Sequence, residues 1–244
     1  MNDGPSIARL TKVELRKMVD TRSGFWLQLA VLGLTILTVV IVLFAGNAED
    51  HTFRHMLSDA LQPAGLLLPV VGILLVTSEW SQRTALVSFA LVPDRRRLIA
   101  AKVLAGVVLG LAAVMVAIVF AAIGTALASP DVPNVWTMPI GLLGQDFVFI
   151  VTAMVIGIAF GTALLSSAPA IVLYFGLPAA LAALGAIHSF EATVEWISTE
   201  ALGPLTTTVM SGHEWAMALV TLLLWMVLPL AIGVWRINGR DLAA

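Results

Sequence analysis

Apolar residues dominate the chain in long runs separated by short polar segments, and the lengths of those runs predict its elements. They cover Phe25–Ala45, Leu61–Thr77, Leu98–Leu127, Phe147–Ser166, Ala170–Ile187 and Trp215–Trp235. A helix crossing a hydrocarbon core of about 30 Å takes roughly 17–25 apolar residues at about 1.5 Å of rise each, and every run reaches that range. Span two is the shortest and is interrupted by Pro63 and Pro69. The stretch from Phe147 to Ile187 carries no charge at all. A single helix of that length would be about twice the thickness of a bilayer, so it must be two helices. The break is expected in the turn at Ser166–Pro169, with Pro169 as the breaker. Phe25–Ala45 exceeds the roughly 7–15 apolar residues of a signal peptide, so it reads as a retained helix.

Two further segments are periodic without being apolar throughout. Within residues 1–24, Ile7, Leu10, Leu15 and Met18 share one helical face while Arg9, Lys12 and Arg16 face the other way. That is the pattern of an amphipathic helix lying on a membrane surface. Within residues 188–214, Phe190, Val194, Ile197 and Ala201 form an apolar stripe with Glu191, Glu195 and Thr199 off it. This predicts an interfacial or re-entrant helix before span six.

Composition agrees with the pattern. The chain is 59% hydrophobic and 11% charged, against roughly 25% charged residues in a soluble domain, and its mean hydropathy is +0.99. The fold class is therefore an all-α integral membrane protein. Cysteine is absent, which excludes disulfides and thiolate metal sites.

Charge adds orientation. Arg9, Lys12, Arg16, Lys17 and Arg22 precede span one; Arg83, Arg95, Arg96, Arg97 and Lys102 fall between spans two and three or at the start of span three; Arg236 and Arg240 follow span six. With six spans, these 12 of the 13 basic residues lie on one side, leaving only Arg54 on the other. The positive-inside rule makes the basic side cytoplasmic, with both termini inside.

Few motifs carry chemistry. His51 and His55 are spaced i, i+4, but nothing frames them as a metal site. His213-Glu214 begins like a zinc-protease helix, yet Met217 stands where the second histidine belongs. No G-x-S-x-G elbow and no G-x-x-x-x-G-K-[ST] phosphate loop is present, so hydrolysis of ATP by that route is excluded. Asp146 and Lys102 fall at span edges, and span interiors hold only mild polar groups such as Gln28, Thr35, Thr38, Thr152, Thr162 and Tyr174. Proton-coupled antiport is thereby disfavoured. Gly106/Gly110 and Gly157/Gly161 are G-x-x-x-G pairs that suit close helix packing. Trp26, Trp80, Trp215 and Trp235 stand at span ends as interfacial anchors.

The segment between spans two and three is the most distinctive. Glu79-Trp80, Arg83-Thr84, Pro93, Arg95 and Lys102 follow one another around an apolar face of Leu86, Phe89 and Ala90. Glu79 and Arg83 are spaced i, i+4, a favourable pairing on a helix. Together with the basic helix before span one and the basic tail, this segment resembles the ABC-2 type transporter permeases, the membrane subunits of bacterial ABC exporters. The likeness extends in layout over nearly the whole chain. It implies a cytoplasmic coupling helix between spans two and three, within the loop 78–97, seated in a cleft of a separate ATPase. Glu79, Arg83, Thr84, Leu86, Phe89, Pro93 and Arg95 would be its coupling residues. It implies two permease subunits, identical or paralogous, paired with two ATPase subunits, in the bacterial plasma (inner) membrane and surrounded by its lipid. ATP and Mg would sit on the partner, with no cofactor on this chain, no catalytic residue and no nucleic-acid partner. The family places the translocation path between subunits, along spans two and five; Thr35 and Thr38 of span one and Tyr174 of span five are the polar candidates for it. An uncharged interior favours hydrophobic or amphipathic cargo such as a drug, antibiotic or lipid. The alternative is a passive channel, or a scaffold or immunity protein, without ATP coupling.

Overall fold

The computed structural model describes residues 5–82, 94–128 and 131–239. Among them the chain is helical with no strand, and six helices are long and apolar enough to cross a membrane. An amphipathic helix α1 (Ile7–Asp20) leads into α2 (Arg22–Ala45), α3 (Phe53–Ser81), α4 (Arg95–Ala128), α5 (Ile140–Leu164) and α6 (Ser167–Gly185). A short α7 (Glu191–Ile197), a 3-10 turn (Thr199–Leu202) and a single turn α8 (Pro204–Thr207) follow. The last long helix, α9 (Gly212–Gly239), contains a π bulge at Leu223–Val227.

The centre of the bundle is the pair α3 and α5. The most apolar stretch of each is 67% buried, against 17% for α2 and 6% for α6, so α3 and α5 are core helices while α6 lies on the periphery. Close approach of α3 and α5 depends on small residues. A Cβ on Gly157 would come 2.2 Å from the Pro69 carbonyl oxygen, and one on Gly72 would come 2.7 Å from the Met154 oxygen. Pro63 and Pro69 both lie inside α3. Neighbouring helices let a membrane helix keep prolines that an isolated helix would not tolerate. Leu57, Leu61, Leu68, Val114, Ile150, Met154 and Ile158 fill the first core, drawn from α3, α4 and α5. The second gathers Ile73, Ile156, Phe160, Leu205 and Trp225, with Phe160 stacked on Trp225 at 5.8 Å.

Most long helices extend beyond their apolar runs. α3 begins at Phe53, ahead of Leu61, and α5 begins at Ile140, ahead of Phe147. Asp146 is therefore inside a helix and 2% exposed, not at its edge. The uncharged stretch does divide into two helices, but Pro169 is not what breaks it. Leu165 adopts a left-handed conformation (φ 55°), Ser166 is extended, and α6 starts at Ser167. Pro169 thus falls in the first turn of α6, where its missing N–H has no intrahelical partner to lose.

The helix expected over Phe190–Ala201 is also divided. α7 ends at Ile197 because Ser198 turns extended and caps the following 3-10 turn, accepting from the Glu200 N–H at 3.1 Å. Val194 and Ala201 are buried as the stripe predicted, whereas Phe190 is 50% exposed. This segment is stitched to α9: the Trp225 indole donates to the Ile197 carbonyl at 2.7 Å, and the Thr221 hydroxyl donates to that of Ser198 at 3.1 Å.

Candidate functional site

The end of the bundle that carries α1 holds the most concentrated chemistry. Helix α1 starts at Ser6, whose hydroxyl accepts from the Arg9 N–H, and ends at Thr21. Thr21 closes α1 through its own N–H to the Lys17 carbonyl and opens α2 by accepting from the Gly24 N–H at 3.2 Å. The Gln28 amide donates to the Met18 carbonyl at 2.8 Å. Gly24 is required by this tight corner, since a Cβ there would lie 2.1 Å from the Met18 oxygen.

The face that α1 turns inward is not the purely apolar one expected. Leu10, Glu14 and Met18 are buried at i, i+4, i+8, while Ile7 is 40% exposed. Arg9, Lys12 and Arg16 do face outward. Glu14 meets Lys17 at 2.7 Å and Lys102 at 2.6 Å; Glu79 meets the same two lysines at 2.6 and 3.0 Å. Each carboxylate touches both ammonium groups and each ammonium both carboxylates. The result is a closed ring of two positive and two negative charges joining α1 to the end of α3 and the start of α4. Glu14 is 1% exposed and Lys102 3% exposed. Lys102 also donates to the Leu75 carbonyl at 3.2 Å. Ions this deeply buried persist because each is both paired and hydrogen-bonded.

A cavity of about 320 Å³ opens beside the ring, lined by Lys17, Thr21, Ser78, Glu79 and Gln82 among others. Other basic residues at this end grip the backbone. Arg95 donates to the Ile237 carbonyl, Arg236 to that of Ala163, and Arg97 to that of Pro5 at 3.2 Å. Asp94 receives the N–H groups of Arg96 and Arg97, which caps α4. Arg83, Thr84, Leu86, Phe89 and Pro93 lie outside the described residues, as does the expected coupling helix; the ring and Asp94 bracket that segment on either side.

Lys17 gives this end a pH dependence. Burial pulls its pKa down, but hydrogen bonds and charge from Glu14 and Glu79 outweigh that, leaving it above the ordinary 10.5. A cation stabilised in this way contributes fully below its unfolded pKa and loses that contribution as pH rises through the folded value. Strongly alkaline solution is therefore expected to destabilise the wild-type protein more than a Lys17→Met variant. Thermal unfolding across that range checks this, and equal losses in both proteins would count against it.

The remaining candidates do not converge. Thr35 of α2 is buried and donates to the Ala60 carbonyl at 3.3 Å. It lines a largely apolar cleft of about 350 Å³ between α2 and α4, together with Gln28, Leu68 and Ala113. Thr38 is half-buried one turn further along α2. Tyr174 of α6 sits in the other core, edge-on to Phe160 at 6.0 Å. His51 bonds the Val42 carbonyl at 3.0 Å, and the Glu214 carboxylate is taken up in the helix cap of α9, accepting from the Ser211 N–H. Among the described residues no three His, Asp or Glu side chains are grouped to hold a metal.

Sequence reasoning missed Glu14 and Lys17 as members of a site. The available signal was the i, i+4, i+8 spacing of Leu10, Glu14 and Met18, which places a carboxylate at the centre of an apolar face. Gln145 was missed too. Its amide donates to the carbonyls of Leu205 at 3.2 Å and Thr208 at 2.7 Å, and its oxygen accepts from the Met210 N–H at 3.0 Å. No family model matches the chain, and no curated protein matches it either.

Proposed function

We propose that the chain is the membrane permease subunit of an ATP-driven exporter of the ABC-2 type, moved by a separate ATPase. The observation that carries this reading is the charge ring. A channel or scaffold has no need to lock a peripheral amphipathic helix onto the two helix ends that bracket an apolar, arginine-flanked loop. A subunit that receives force through that loop does need it. The ring makes α1, the end of α3 and the start of α4 move together, so a push on residues 83–93 reaches two spanning helices and the surface helix at once. The signature Glu79-Trp80, Arg83-Thr84, Pro93, Arg95 and Lys102 supports the same reading, and the chain lacks a phosphate-binding loop of its own.

The basic end is then cytoplasmic, with both termini inside a bacterial plasma membrane. A second permease copy or paralogue completes the transporter, and ATP with Mg binds the partner. Uncharged helix surfaces and the apolar cleft beside Thr35 favour hydrophobic or amphipathic cargo.

The test is Phe89→Asp. In the sequence Leu86, Phe89 and Ala90 are spaced to share one helical face, which would suit a partner's groove. With the proposed ATPase partner co-expressed, the variant is expected to lose co-purification or substrate-stimulated hydrolysis while remaining folded in the membrane. Full assembly and transport by Phe89→Asp would remove the coupling role and favour the passive reading.

A further inference from the structure

Asp146 is a buried charge that the ring does not use. It lies on the face of α5 shared by Leu142, Gln145 and Ile150, about 9 Å along the helix from Ile140. It is 2% exposed, its Oδ1 has no hydrogen-bond partner, and no cation among the described residues pairs with it.

The elements packed on α5 are α3, α4, α6, α8 and the α9 region. On α3, Arg54, His55 and Asp59 line a separate cavity with Thr206 and Thr207, and Arg54 donates to the Thr207 carbonyl. Glu79 belongs to the ring. The cations of α4 are Arg95, Arg96, Arg97 and Lys102, all near its first turns at the opposite end of the bundle. On α9, Arg236 donates to Ala163 at that same far end, while His213 and Glu214 line an outer cavity with Glu191, Glu195 and Glu200. α6 and α8 carry no charged residue.

We infer that Asp146 is a proton-binding site, its carboxyl held as the neutral acid in this packed conformation. A carboxylate buried without a counter-ion, with one oxygen lacking any donor, is disfavoured, and protonation is the available relief. A metal cation would need several more oxygen ligands, and the neighbouring Gln145 oxygen is already occupied by the Met210 N–H. Residues 204–210 are held by the neighbouring Gln145 side chain. Ionisable groups inside membrane helices mark proton pathways as a rule. The site goes beyond the coupling reading: it lies at the other end of the bundle from the ring and requires no ATPase.

Infrared spectroscopy of the full chain in phosphatidylcholine vesicles tests this. At neutral pH the wild-type protein is expected to show the carbonyl stretch of a neutral carboxylic acid, missing from Asp146→Asn and fading in the wild type as pH rises. Asp146→Asn, a neutral isostere, is expected to match wild-type thermal stability at neutral pH and to escape the alkaline loss traced to this residue. If the asparagine variant does not accumulate as folded protein, Asp146→Ser supplies the same difference spectrum. Absence of the neutral-acid band, or its persistence in the variants, would overturn the assignment. So would stabilisation of the wild type, but not of the variant, by sodium at fixed pH, which would make this a metal-cation site.

Discussion

Replacing Lys102 with methionine is expected to destabilise the protein by about 3–5 kcal/mol, the usual cost of removing one partner from a buried ion pair. Glu14 and Glu79 would then face each other with only Lys17 between them. Glu14 is 1% exposed and cannot recover its hydration. The lowered thermal midpoint should come with faster proteolysis at Arg9, Lys12 and Arg16, because α1 is what the ring holds down. The ring's closure makes a sharper test possible. Glu14→Gln combined with Lys102→Met removes one charge of each sign and leaves the 2.6 Å pair of Lys17 and Glu79 in place. The double variant is expected to be less damaged than the sum of the two singles, by about 1–3 kcal/mol of coupling. Strict additivity would show that the four charges do not act as a unit.

Much of the architecture was legible because a bilayer enforces simple rules. Six apolar runs became six long helices, and the uncharged stretch from Phe147 to Ile187 had to divide because one helix of that length has no place to go. The details that escaped are those in which tertiary packing outweighs local pattern. Pro169 is a natural breaker in isolation, yet it fits the first turn of α6, and Leu165 supplies the left-handed residue that ends α5. Ser198 divides the segment between α6 and α9 because its hydroxyl caps a new turn, which periodicity alone does not reveal. Glu14 stands among Lys12, Arg16 and Lys17, and nothing in that local charge pattern turns it inward. Only the arrival of Lys102 from another helix makes an inward carboxylate favourable. Asp146 was placed at an edge because hydropathy begins at Phe147, whereas the helix begins at Ile140 and its Gln145 side chain bonds Leu205, Thr208 and Met210. Thr35 and Tyr174 share polarity in sequence but belong to different cores, so their spacing carried no common site.

Gly157→Ala is expected to be the most damaging single-methyl addition at the α3–α5 interface, costing about 2–3 kcal/mol. The two G-x-x-x-G pairs look alike in sequence, but their surroundings differ. A Cβ at Gly157 would stand 2.2 Å from the Pro69 oxygen and 2.7 Å from both its carbonyl carbon and Cα. These are backbone atoms of a core helix, so relief requires moving α3 away from α5 as a whole. Such a shift would open the centre of the bundle and disturb the contact of Gly72 with Met154 and Ile158 on the same interface. At Gly110 the nearest atom is the Val151 Cα at 3.5 Å, an ordinary contact. Gly110→Ala should therefore be close to neutral. At Gly144 a Cβ meets nothing within 4 Å, and alanine there should stabilise by up to about 1 kcal/mol through helix propensity. Thermal unfolding of the three variants in one detergent ranks them directly. A Gly157→Ala protein as stable as Gly110→Ala would mean that α3 and α5 do not pack backbone against backbone.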